Sequence, residues 1–224
     1  MRIDAHHAFS ERYPLDHLAS ILRRNRFDGS VIVVPAAQVD VPVPEFVRAV
    51  VICTGRIDPL CLDYYQGQPK FRGVCLDLRA GIAEGLGELE SRGLTLDALG
   101  GLSFIPEIAT RFPSLRIVLD HGGQFFDTPA GDWPDQLGRA AQFPQVCCKL
   151  SGLTRLAVPP RLLVRHALTA FGPPRVMFGS DWPACLPATT WKAALAAFTQ
   201  AIGAQPMEVR EELLGGAAER FYAL

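Results

Sequence analysis

Eight apolar runs, one per 28 residues over a chain of 224, set the strongest constraint on how this sequence can fold. They lie near 2–6, 30–35, 47–53, 72–78, 94–98, 115–120, 145–150 and 175–179. Most are continuous rather than alternating, as in Ser30-Val31-Ile32-Val33-Val34 and Ala49-Val50-Val51-Ile52-Cys53. Strands covered on both faces read this way, whereas half-exposed strands alternate. Helical periodicity fills most of the gaps. Leu15, Leu18, Ile21 and Leu22 share one face, and Trp191, Leu195, Phe198 and Ile202 share another. Further helices are expected near 81–92, 103–112, 132–143 and 206–221, and around Val164, Leu168 and Phe171.

Strands alternating with helices indicate α/β architecture. Eight units predict a compact, somewhat irregular (β/α)₈ TIM barrel spanning 1–224 as a single domain. The stretch Val39-Asp40-Val41-Pro42-Val43-Pro44 cannot form a regular helix, so the outer layer should be incomplete between the second and third strands. An open doubly wound sheet is the alternative, but the glycine-rich phosphate loop that usually accompanies it is absent.

Four of the runs end on ionisable side chains: Asp4-Ala5-His6-His7, Asp120-His121, Lys149 and Asp181. Charged groups are costly to bury, and in a closed parallel barrel all strand C-termini share one face. His6, His121, Lys149 and Asp181 are therefore expected to converge. Alternation puts Asp4 and His6 on one face with His7 opposite, and sets Asp120 opposite to His121. Gly122 and Gly123 permit a sharp turn or a close ligand. In Gly179-Ser180-Asp181-Trp182-Pro183 the carboxylate can bind a metal or take a proton from water. Its bland alternative is a helix N-cap, although helical periodicity resumes only near Thr189. Trp182 is expected to wall the pocket, and Lys149 to hold an anionic group of a substrate. Arg72, at a strand start, belongs to the opposite end of the barrel. His17 and His166 fall within helices as surface or packing residues.

A net charge of −1 gives no reason to expect nucleic acid or an anionic membrane as partner. No stretch is apolar and long enough to span a bilayer, and no signal-peptide pattern opens the chain, so a cytoplasmic location is the expectation. The six cysteines form no CxxC pair and read as buried thiols. The partner expected is a small molecule; a homo-oligomer is left open.

The stretches Ile3-Asp4-Ala5-His6, Val118-Leu119-Asp120-His121-Gly122, Lys149-Leu150-Ser151-Gly152-Leu153 and Arg175-Val176-Met177-Phe178-Gly179-Ser180-Asp181-Trp182-Pro183 resemble the amidohydrolase superfamily in order and spacing. The resemblance is to its amidohydrolase 2 branch, which includes sugar-lactone and pyrone-dicarboxylate lactonases and related decarboxylases. It implies a distorted barrel with a hydrolytic site at the strand ends. His6 and His121 would bind one divalent metal (Zn or Mn), with Asp181 as third ligand, or would polarise a carbonyl without metal. Asp181 would activate water. The implied activity is opening of a lactone or similar cyclic ester of a small polar or carboxylated metabolite. A metal-dependent decarboxylase and a degenerate, non-catalytic metabolite-binding barrel are the alternatives. Two departures stand out. The branch usually carries His-x-His in its first strand, where this chain has His6-His7-Ala8; and Cys75 occupies the place of a frequent arginine.

Overall fold

The computed structural model describes residues 1–124, 132–155, 159–186 and 189–224. All eight predicted strands form: β1 Ile3–Ala8, β2 Gly29–Pro35, β3 Val47–Cys53, β4 Phe71–Asp77, β5 Thr95–Leu99, β6 Arg116–Leu119, β7 Val146–Leu150 and β8 Val176–Phe178. They pair in parallel, in sequence order, as a single sheet. The seam is closed just beyond β8. The Ala8 amide donates to the Trp182 carbonyl (2.8 Å) and the Asp181 amide to the His6 carbonyl (3.0 Å). The result is the predicted (β/α)₈ barrel.

Helices Leu15–Arg24, Pro59–Gln66, Leu86–Ser91, Ile105–Arg111, Trp133–Ala141, Pro160–Phe171 and Trp191–Ile202 pack outside it. Between β2 and β3 there is only a 3₁₀ turn, Ala36–Gln38, as the prolines require. The helix expected over 81–92 is cut to Leu86–Ser91, because Gly81 and Gly85 take positive φ (128° and 82°) and delay its start. The C-terminal helix is likewise broken, into Met207–Glu211, a π-helical stretch Glu212–Gly216, and Ala217–Tyr222. Among the described residues no helix is long and apolar enough to cross a membrane.

The core has two layers. The larger lies between sheet and helices. The smaller fills the barrel with inward residues of the strands, such as Ala5, Val31, Val51, Val118 and Met177, and is closed by Ala217, Phe221 and Tyr222 of the C-terminal helix. That helix is fastened at the strand starts: Arg72 Nε donates to the Tyr222 carbonyl (3.0 Å) and Arg116 to the Phe221 carbonyl (2.6 Å). Arg72 thus sits at the end of the barrel away from the site, as expected.

The first strand departs from simple alternation. Asp4 pairs with Ser30, but His7 pairs with Ile32, so three steps on β1 oppose two on β2. This β-bulge changes which face successive residues take. Ile3 and Ala5 belong to the barrel interior. His6 also turns inward, while Asp4 and His7 turn outward. The expectation that Asp4 and His6 share a face is therefore overturned by one extra residue.

Outward-facing Asp4 has a structural task instead. Its Oδ1 accepts from the Ser180 amide (2.8 Å) and its Oδ2 from Trp191 Nε1 (2.7 Å), all buried. It fastens the first strand to the segment carrying Asp181. Asp4→Ala is expected to leave both donors buried and unpaired, at about 1–3 kcal/mol each. Urea denaturation should show that loss, with Asp4→Asn losing less because its carbonyl can still accept from Ser180.

Candidate active site

At the C-terminal mouth, strand direction and three left-handed residues bring the ionisable groups together. Asp120 follows inward-facing Val118 by two residues and so points into the barrel. His121 would point away from it in a continuing strand. Instead the chain leaves β6 through positive φ at His121 (53°), Gly122 (66°) and Gly123 (75°), and the imidazole swings back over the mouth. The expected opposition of Asp120 and His121 is lost in this turn. Asp181 also has positive φ (59°). Asp and His tolerate this region better than most side chains, but it is still uncommon and clusters at functional sites. Asp181 is not the cap of the next helix, since Thr190 Oγ1 caps it by accepting from the Ala193 amide (3.1 Å).

Three of the predicted residues meet. His6, His121 and Asp181 each offer a ligand atom, all within 4.8 Å of one another. The His6 and His121 rings lie 4.8 Å apart, edge to face, and His6 Nε2 is 3.9 Å from Asp181 Oδ1. Each is held from behind. Asp120 Oδ1 faces His6 Nδ1 at 3.5 Å. Ser151 Oγ is 2.9 Å from His121 Nδ1. Arg155 donates to Asp181 Oδ2 at 2.8 Å. These contacts leave the Nε2 atoms and Asp181 Oδ1 for the shared space.

The other two predicted residues lie behind the site. Lys149 has no exposed surface. It follows inward Cys147 by two residues, and its ammonium pairs with Asp97 and with Asp120 Oδ1 (3.0 Å). Trp182 is also wholly buried, packed edge-on against His7 and Tyr13. Neither presents the open face that a direct substrate contact needs. His7 bonds Ser30 Oγ through Nε2 (3.0 Å) and takes no part in the cluster.

Sequence reasoning gave no role to Asp97, Asp120, Ser151, Arg155 or Tyr222. A signal for Asp97 was present: Thr95 and Asp97 are polar at alternate positions of a strand buried throughout. Arg155 comes from a 3₁₀ turn, Leu153–Arg155, with no periodic signature.

The charges are coupled. Burial opposes ionisation of Asp120, yet Lys149 and His6 hold its carboxyl well below the usual range. Burial likewise opposes the charge on Lys149, but Asp120 and Asp97 keep its ammonium above its ordinary value. Burial alone would depress His6; Asp120 outweighs it and raises the imidazole. His121 is pushed down to about 4 by burial and then by His6, so it is neutral near pH 7.

Beneath the site, Asp120 and Asp97 face one ammonium; burial raises the Asp97 carboxyl above its ordinary value, so the negative charge directed at His6 is that of Asp120. Two imidazole nitrogens and a carboxylate form a donor set suited to a divalent cation such as zinc. Tetrahedral zinc would bring its ligand atoms to about 3.3 Å from one another, so the residues fit such a cation after closing by about 1.5 Å at most. Ala8 supplies no further donor.

Comparison with known proteins finds relatives in sequence and in fold. The family model described as Amidohydrolase (Amidohydro_2) matches residues 44–224. An L-fucono-1,5-lactonase of Burkholderia multivorans is 35% identical over 167 residues, covering 65% of this chain and 56% of that protein. The match thus spans little more than half the length of that curated relative. A solved amidohydrolase of Burkholderia multivorans superposes with TM-score 0.82 at 24% identity in a form with bound HEPES, covering 100% of this chain and 99% of that one. Its form with bound zinc superposes with TM-score 0.81 at 26% identity and the same coverage.

Gly179 sets how closely the pieces of the site approach. A Cβ there would lie 2.7 Å from His6 Cβ and 3.0 Å from Ser151 Cβ. Gly179→Ala is expected to cost about 1–3 kcal/mol by overpacking and to displace the His6 ring. Denaturant titration and the His6 ring resonances would register the two effects.

Proposed function

The chain belongs to the amidohydrolase family, and we propose that it hydrolyses the cyclic ester of a small polar or carboxylated metabolite, with sugar-acid lactones the first class to test. The observation that carries this reading is the meeting of Asp181 with two imidazoles at a barrel mouth. The lactonase name of a 35% identical relative supports the choice of ester.

Asp181 acts on the attacking water. Arg155 occupies its Oδ2, so Oδ1 is the oxygen free to orient the water and accept its proton. The carbonyl oxygen of the lactone gains negative charge as water adds. His6 faces that charge from a position where Asp120 raises its pKa, so its imidazolium can donate from Nε2. His6, His121 and Asp181 would hold a divalent cation, which would supply Lewis acidity at the same place. Ring opening releases an alkoxide, which recovers a proton from the site. Lys149 serves from beneath by holding Asp120, and Trp182 by packing behind the seam. Arg155, with its side chain 47% exposed, can lend its free N–H groups to a substrate carboxylate.

Three measurements bear on this. Asp181→Asn is expected to lower kcat by about 10²–10⁴, the usual contribution of a general base, while leaving the thermal unfolding midpoint near that of the parent; undiminished hydrolysis in that variant would remove Asp181 from the mechanism. Arg155→Met should raise KM more for carboxylated lactones than for neutral ones. Metal analysis of protein purified without chelator decides between the two sources of positive charge: stoichiometric zinc or manganese supports the cation, and full activity in metal-free protein supports the imidazolium.

A further inference from the structure

Behind the mouth, a file of shared oxygens runs down the barrel interior to the last helix. Asp120 Oδ1 is approached by His6 Nδ1 at 3.5 Å and by Lys149 Nζ at 3.0 Å. The same Lys149 ammonium pairs with Asp97 Oδ2, and that oxygen also accepts from the Tyr222 hydroxyl at 2.7 Å. The Lys149 ammonium stands 5.3 Å from the centre of the Tyr222 ring. Asp97, Asp120, Lys149 and Tyr222 are each 0% exposed. They come from β5, the end of β6, β7 and the C-terminal helix.

A buried ion cluster is poor as a source of stability, because desolvation of the ions offsets their attraction. Here its geometry has a directional consequence. Lys149 is divided between two carboxylates, and His6 and Lys149 compete for one oxygen of Asp120. Whatever strengthens the Lys149–Asp97 contact frees that oxygen for His6; whatever weakens it draws Asp120 away. The partner at Nδ1 of a histidine decides which ring nitrogen keeps its proton and which faces the site.

We propose that Asp97, with the Tyr222 hydroxyl bonded to it, is a positioning residue that holds Lys149 back from Asp120 and so keeps Asp120 on His6 Nδ1, with Nε2 aimed at the site. Asp97 touches none of the three residues at the mouth. It acts through Lys149 and Asp120, so a side chain from the middle of β5 controls the orientation of a group at the barrel rim.

The test uses Asp97→Asn and Tyr222→Phe in the full chain, both close in shape to the parent. Only five histidines are present, so ¹⁵N-histidine labelling gives a spectrum in which His6 is assignable by its own substitution. At alkaline pH and after metal removal, wild-type His6 should show the Nδ1–H form. In Asp97→Asn it should shift toward Nε2–H, with a smaller shift in Tyr222→Phe. On whichever lactone the parent hydrolyses, kcat should fall about 10–100-fold in Asp97→Asn, the usual effect of losing an outer partner of a site histidine, with KM within about twofold. The kinetic arm rests on the hydrolase reading above; the spectral arm does not. A His6 shift in a protein whose parent opens no lactone supports the positioning role and removes the hydrolase reading. An unchanged His6 tautomer in folded Asp97→Asn overturns the proposal whatever happens to activity. Should Asp97→Asn fail to fold, Tyr222→Phe decides alone: a shift supports the proposal and its absence overturns it.

Discussion

The site exists because the two ends of the chain are tied together at one seam. His6 and Asp181 belong to the first strand and to the segment after the last. They become neighbours only when the Asp181 amide donates to the His6 carbonyl and the Ala8 amide to the Trp182 carbonyl. Asp4 reinforces the seam from outside by accepting from Ser180 and Trp191, and Gly179 lets the two backbones approach without a side chain between them. The β1 bulge is part of the same device. It frees Asp4 for the outer brace while turning His6 inward, two tasks that strict alternation on adjacent even positions would have assigned to one face.

Closure also explains why an ionic cluster can persist in the barrel interior. Isolated buried charges are very costly, and each must meet opposite charge or hydrogen-bond donors. Lys149 meets two carboxylates, and Asp97 gains a phenol from a helix that seals the other end. Arg72 and Arg116 hold that helix in register by its carbonyls. The ionic residues therefore reach into the strand middles, where Asp97 lies level with Cys75 and Val118, and meet a phenol where the C-terminal helix enters. The Asp120 carboxylate is the charge of this cluster that faces His6.

Much of this was legible in the sequence, for reasons that can be stated residue by residue. Continuous, mostly Val/Ile/Leu-rich runs marked all eight strands, because burial on both faces leaves apolar runs of strand length rich in β-branched residues. His6, His121 and Asp181 could be singled out because ionisable groups at apolar strand ends are costly unless used. Legibility failed where a backbone irregularity intervened. One extra residue in β1 reversed the face assigned to Asp4, and left-handed φ at His121 cancelled its predicted opposition to Asp120. Lys149 was placed at the rim by its position in the run, but it follows inward Cys147 by two and so points into the barrel below the mouth. The polar alternation of Thr95 and Asp97 marked a position in β5, but the pairing of Asp97 with Lys149 and Tyr222 escaped because those partners are 52 and 125 residues away. Arg155 escaped because a short 3₁₀ turn has no period to read.

The departure at position 8 now has a physical setting. A histidine two residues after His6 would add a fourth donor to a set of three. Without it, the cluster offers two imidazoles and one carboxylate, the number of protein ligands that catalytic zinc sites use while keeping one position open. Arg155 acts in the opposite sense: by binding Asp181 Oδ2 it withdraws charge from the same carboxylate a cation would want. The two features pull the site between a weakly held metal and a metal-free centre built on the raised His6. The Asp120 carboxylate behind His6 would serve either outcome, since it favours a cation at Nε2 and a proton there alike. On the proposed hydrolase reading positive charge is needed at that point, and Arg155 and a cation would compete for Asp181.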